Sequence, residues 1–179
     1  MTAGQTRQAA AGAPLSLAPP GVPARLAAKR LTVAAVGASI TAGAGAFDDV
    51  RDAWVDRLQT WLYDTYGAKH GVNVTVNNGA VPGTTSMYMC ACFRRHVPQD
   101  ADVIFLEYAV NDEHRKEPLF HNSARKSFER LIRKLLQMPS RPAVVLLNTY
   151  AWFNTDPYEA SAHPAPCSRA RCLCLPSTV

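Results

Sequence analysis

At 179 residues with 47% hydrophobic content, the chain is large enough to bury one continuous core without disulfides or metals, and it suits a single domain. Its net charge of +5 raises nucleic acid or an acidic membrane as partners, but no acid precedes Asp48, so Arg7, Arg25, Lys29 and Arg30 stand unopposed, and Arg169 and Arg171 lie in a tail with no acid nearby. The middle is close to balanced, which argues against nucleic acid, and no apolar stretch approaches the roughly 20 residues of a bilayer span.

Residues 1–30 are rich in Ala, Pro and Gly, lack acids and show no period, which describes a disordered leader or linker. The same acid-free, Arg-containing composition also fits an organelle transit peptide, so the compartment stays open. Leu31 to Val36 is a short apolar run ending in glycine, the pattern of a buried parallel strand. After a glycine-rich turn, Asp48 or Asp49 can cap a helix whose Val50, Trp54, Leu58, Trp61 and Leu62 form one apolar stripe. Val72 to Val76 alternates β-branched and polar residues, as a strand near an edge does.

A short helix from about Ser86 to Arg95 follows, and Pro98 separates it from a central third strand, Val103 to Tyr108. Phe128, Leu131, Ile132, Leu135 and Leu136 recur with helical period between about Ser123 and Gln137, and Ala143 to Leu147 reads as a fourth strand. Strands alternating with helices of this size imply right-handed crossovers and a parallel sheet covered on both faces. Beyond Tyr150 the pattern fails, and residues 159–179 read as an irregular Cys, Arg and Pro tail.

The cysteines fall in two groups, Cys90 with Cys92 and Cys167 with Cys172 and Cys174. Neither has the paired spacing of a structural zinc site, and a disulfide between the groups stays open.

Three segments carry candidate chemistry, each just past an apolar run: Gly37-Ala38-Ser39-Ile40-Thr41, Asn78-Gly79-Ala80-Val81-Pro82-Gly83 and Tyr108-Ala109-Val110-Asn111-Asp112. In an open parallel sheet such strand ends line one crevice. A serine that attacks an ester carbonyl needs a base to take its proton and donors to hold the oxyanion. Ser39 supplies a hydroxyl and its own N–H, Gly79 a backbone N–H and Asn111 a side-chain amide. Taken singly, each motif reads more simply as a turn or a helix cap; the grouping on three successive strand ends carries the functional reading.

These motifs resemble the first three blocks of the SGNH, or GDSL-type, hydrolases: Ser39 in the first, Gly79 with Gly83 in the second, Asn111 in the third. The resemblance runs from about Leu31 to Tyr150. It implies a three-layer α/β/α sandwich with a flavodoxin-like parallel sheet, a domain over residues 31–158, and hydrolysis of acyl esters on lipids, carbohydrates or small molecules. It also implies Ser39 as nucleophile, the Ser39, Gly79 and Asn111 amides as oxyanion donors, and neither metal nor organic cofactor. Ala38 and Ala109 depart from the family's usual aspartate and glycine.

The fifth block, Asp-x-x-His, which supplies the base, is missing. Asp156 and His163 are the nearest substitute, with the wrong spacing. His70, His96, His114 and His121 are poorer candidates by position or for want of an acid partner. The expectation is a chain lacking the last strand and C-terminal helix, weak or inactive as an esterase, with an uncovered sheet edge able to self-associate. A non-catalytic ligand-binding relative of the same fold is the alternative. A dinucleotide fold and a P-loop both fail on glycine spacing and on the absent Gly-Lys-Ser or Gly-Lys-Thr.

Overall fold

The computed structural model describes residues 27–48, 51–112, 122–149 and 172–176. In chain order they form β1 (Arg30–Gly37), α1 (Ser39–Ala42), α2 (Trp54–Leu62), a π-helical turn (Tyr63–Gly67), α3 (Ala68–His70), β2 (Asn73–Asn78), α4 (Ser86–His96), β3 (Val103–Glu107), α5 (Ser123–Leu136), β4 (Ala143–Asn148) and β5 (Cys172–Pro176). The strands make one parallel sheet in the order β2-β1-β3-β4-β5. This is the flavodoxin-like order, in which the winding reverses between β1 and β3 and opens a crevice at their carboxyl ends.

Burial follows from position in the sheet. β1 lies inside and is apolar on both faces, with every residue from Leu31 to Gly37 buried. β2 is an edge strand, and its side chains alternate between exposed and half-buried up to Asn77. Ala34 and Val36 of β1, Ile104 and Leu106 of β3, and Val144 and Leu146 of β4 form one core with Met89 and Phe93 of α4 and Phe128, Leu131, Ile132 and Leu135 of α5. Leu31, Val33, Leu62 and Val72 form a smaller cluster beneath α2 on the opposite face. The α/β architecture with a flavodoxin-like parallel sheet is therefore the observed one.

Three expectations are corrected. The sheet does not end at β4: Cys172–Pro176, inside the stretch read as an irregular tail, pairs in parallel with β4 from Val144↔Cys172 to Asn148↔Pro176. The edge of β4 expected to be bare is thus occupied. The second helix starts at Trp54 rather than at Asp48 or Asp49, because Asp48 spends its carbonyl and a carboxylate oxygen on the amides of Arg51 and Asp52 in a separate turn. Trp61 stands 57% exposed, since Val55 and Leu62 take the buried line of α2. The leader up to residue 26, the tail around Cys167 and the place of a C-terminal helix lie outside the described residues.

Candidate active site

The crevice end of β1 is shaped by Gly37 and the single-turn helix α1. Ser39 is the first residue of α1 and half-buried, and its carbonyl accepts the Ala44 N–H at 2.8 Å. Gly43 ends the turn at φ 113°, a left-handed conformation that glycine adopts without steric cost. The Ser39 N–H, at the start of the helix, has no partner among the described residues.

Thr41, fully buried two residues after Ser39, pins this turn from both sides. Its hydroxyl donates to Glu107 Oε2 at 3.1 Å, and its carbonyl accepts Asn78 Nδ2 at 3.0 Å. The other oxygen of Glu107 accepts the Thr149 hydroxyl at 3.0 Å. Side chains from the exits of β2, β1, β3 and β4 are thereby joined laterally. The Val81 N–H, bonded to the Gly37 carbonyl at 3.0 Å, draws the second motif against the first.

The two glycines of the second motif do different work. Gly79 is buried, its N–H donates to the Ala35 carbonyl at 2.9 Å, and a Cβ there would collide with the His96 carbonyl. It is a glycine of close approach whose donor is already spent. Gly83 is exposed at φ +72°, with open space where a Cβ would be, and its N–H has no partner among the described residues. The Gly79 N–H expected as an oxyanion donor is thus engaged by the Ala35 carbonyl, whereas the Gly83 N–H has no partner among the described residues.

In the third motif, the amides of Asn111 and Asp112 both donate to the Tyr108 carbonyl, at 3.1 and 2.9 Å. Asp112 Oδ1 accepts the Ser86 N–H at 2.8 Å, which fastens this turn to the start of α4 just beyond Gly83. Burial pushes the Asp112 carboxyl up to about 6, against the lowering effect of the Ser86 bond. Burial likewise pushes the Tyr108 phenol well above its usual range. The Asn111 side chain is half-buried and has no partner among the described residues.

Of the candidate bases, Asp156, His163, His114 and His121 lie outside the described residues. His70 closes α3 and is exposed; His96 closes α4, with Nε2 3.2 Å from the Tyr88 hydroxyl. Among the described residues no group of three metal-binding side chains occurs, and no helix is long and apolar enough to cross a membrane. Sequence reasoning passed over Asn78, Glu107 and Thr149. The signal for Glu107 was an acid closing an otherwise apolar central strand.

The profile of the GDSL-like lipase/acylhydrolase family matches residues 35–169. A comparison with curated proteins found no match. Among solved structures, a two-domain esterase (CEX) active on acetylated mannans superposes with a TM-score of 0.64 at 23% identity, covering 74% of this chain and 33% of that one. The chain thus spans about one third of that esterase's length. The psychrotrophic esterase EstA from Pseudoalteromonas sp., inhibited by monoethylphosphonate, gives 0.58 at 18% identity, covering 80% of this chain and 76% of its own. A catalytic mutant of Axe2, an acetylxylan esterase from Geobacillus stearothermophilus, gives 0.54 at 16% identity, covering 75% and 67%. With its family profile matched over most of its length and the sheet order expected for it, the chain belongs to the GDSL-like lipase/acylhydrolase family.

Proposed function

We propose that the chain is a serine-type acyl-ester hydrolase domain in which Ser39 Oγ attacks the ester carbonyl carbon. The oxyanion then takes hydrogen bonds from the Ser39 and Gly83 amides and from the Asn111 side chain. The observation that carries this reading is the Ser39 turn, placed where the sheet reverses and bonded laterally to the exits of β2 and β3. Two donors without partners among the described residues, the Ser39 and Gly83 N–H groups, lie just past the carboxyl ends of the neighbouring strands β1 and β2. Esters of carbohydrate hydroxyls are the favoured substrates, because two structural neighbours are esterases of acetylated polysaccharides.

Neither described histidine is bonded to Ser39 or to a carboxylate, so proton transfer from the hydroxyl lacks an assigned base. A serine site without its base keeps about 10³ to 10⁴ of its acceleration over water through positioning and the oxyanion hole. Turnover of a short p-nitrophenyl ester is accordingly expected near background, while a fluorophosphonate modifies Ser39 slowly. Intact-mass analysis of the full chain is expected to give one adduct, mapped to the peptide containing Ser39 and absent from Ser39→Ala. Asn111→Ala should slow its formation by about 10²-fold. An adduct retained in Ser39→Ala would contradict the assignment, and brisk turnover abolished by His163→Ala would place the base in the tail.

A further inference from the structure

Glu107 is not used by the chemistry above, yet it is a deeply buried acid, with 1% of its surface exposed. A carboxylate is costly to bury unless its oxygens are bonded, and here each accepts one hydroxyl from a different strand exit: Thr41 beside the nucleophile and Thr149 after β4. The backbone is cut to allow it. Gly37 pairs with Glu107 across β1 and β3, and a Cβ at Gly37 would fall on the Thr41 hydroxyl and come within 2.7 Å of the Glu107 carbonyl. The missing side chain is what lets Thr41 pass over Gly37 to reach the acid.

We infer that Glu107 is a positioning residue for the Ser39 turn, and that through it the exit of β4 at Thr149 governs where the nucleophile sits. Its catalytic meaning rests on the reading of Ser39 as nucleophile; its structural content does not. Ser39 and Thr41 share one helical turn, so a shift at Thr41 carries Ser39 with it. Asn78 grips the Thr41 carbonyl but cannot fix the rotation of the turn alone, and Glu107 supplies the second point. Thr149 enters because it holds the acid's free oxygen and so orients the carboxylate plane toward Thr41. An apolar side chain at position 107 would fill the space but leave the turn with one tether.

The test uses the full chain and its Glu107→Gln, Glu107→Ala and Thr149→Val variants, with Leu135→Ala as a core-destabilised control remote from the turn. Amide hydrogen exchange is read at Ala42, Gly43 and Ala44, whose N–H groups bond to Ala38, Ile40 and Ser39, alongside the rate of fluorophosphonate addition. Thr149→Val should speed exchange at these amides by about tenfold and Glu107→Ala by about a hundredfold, with addition slowed in parallel. Glutamine retains an acceptor for one threonine and offers a donor to the other, so Glu107→Gln should stay within about threefold of wild type. Leu135→Ala should leave the turn amides unchanged.

Wild-type exchange at the turn in Thr149→Val overturns the inference, as does acceleration spread equally over α5. Should Glu107→Ala fail to fold, Thr149→Val still decides it. Failure of the wild type to take up phosphonate at Ser39 would sink the proposed hydrolase reading, leaving the exchange data to judge the positioning role separately.

Discussion

The two faces of the sheet share the same strands and differ in how dry they are. On the face covered by α4 and α5, the side chains of Ala34, Val36, Ile104, Leu106, Leu131, Ile132 and Leu135 are sealed from solvent. On the other, Val74, Val76, Val103 and Phe105 remain half-buried beneath α2, with Trp54 meeting Phe105 edge-on at 5.8 Å. Alternation along each strand sends neighbouring residues to these unequal environments. The α4–α5 face therefore carries most of the hydrophobic stabilisation. The crevice at the strand ends is held differently, by polar bonds among Asn78, Thr41, Glu107 and Thr149.

Matched truncations on the two faces would break this picture most easily. Leu135→Ala, at a site with no exposed surface, should cost about 2 to 5 kcal/mol in urea unfolding, through lost transfer energy and a residual cavity. The polar crevice should instead reveal itself by pH. Because burial raises Asp112 from 3.8 to about 6, the folded state holds a proton that the unfolded chain releases. The stability from this group is complete below about pH 4 and is lost as pH rises through about 6, a change of about 3 kcal/mol at most. Subtracting the unfolding profile of Asp112→Asn from that of wild type isolates it; a difference that grows in the opposite direction would refute the assigned cause.

The smallest effect belongs to the wetter face. Leu58→Ala, where the side chain is already partly hydrated, should cost about 1 kcal/mol. Equal losses at Leu58 and Leu135 would show that the faces share the load evenly.

The sequence made β1, β3, β4 and α5 legible because buried strands read as apolar runs and α5 keeps its helical period with little interruption. β5 is not legible: a five-residue run of Cys, Leu and Pro beside a stretch of Pro, Arg and small residues is too short to set a period, and its pairing with β4 is a tertiary event. Helical spacing from Trp54 predicts Trp61 on the buried stripe of α2, but the line through Val55 and Leu62 faces the sheet and leaves Trp61 edge-on to Tyr66. Of the proposed site, Ser39 and Asn111 are visible in the sequence as residue types at strand ends. Gly79 and Gly83 both follow the same strand, and only backbone conformation and hydrogen bonding distinguish them. The Thr41–Glu107 bond spans 66 positions and leaves no periodic trace.

A crystal structure of the phosphonylated chain measures the proposed oxyanion geometry at Ser39 directly. Phosphorus should be bonded to Ser39 Oγ, with one phosphonyl oxygen within hydrogen-bonding distance of the Ser39 and Gly83 amides and the Asn111 side chain, about 3 Å from each. An adduct whose oxygens reach neither Gly83 nor Asn111 would contradict it.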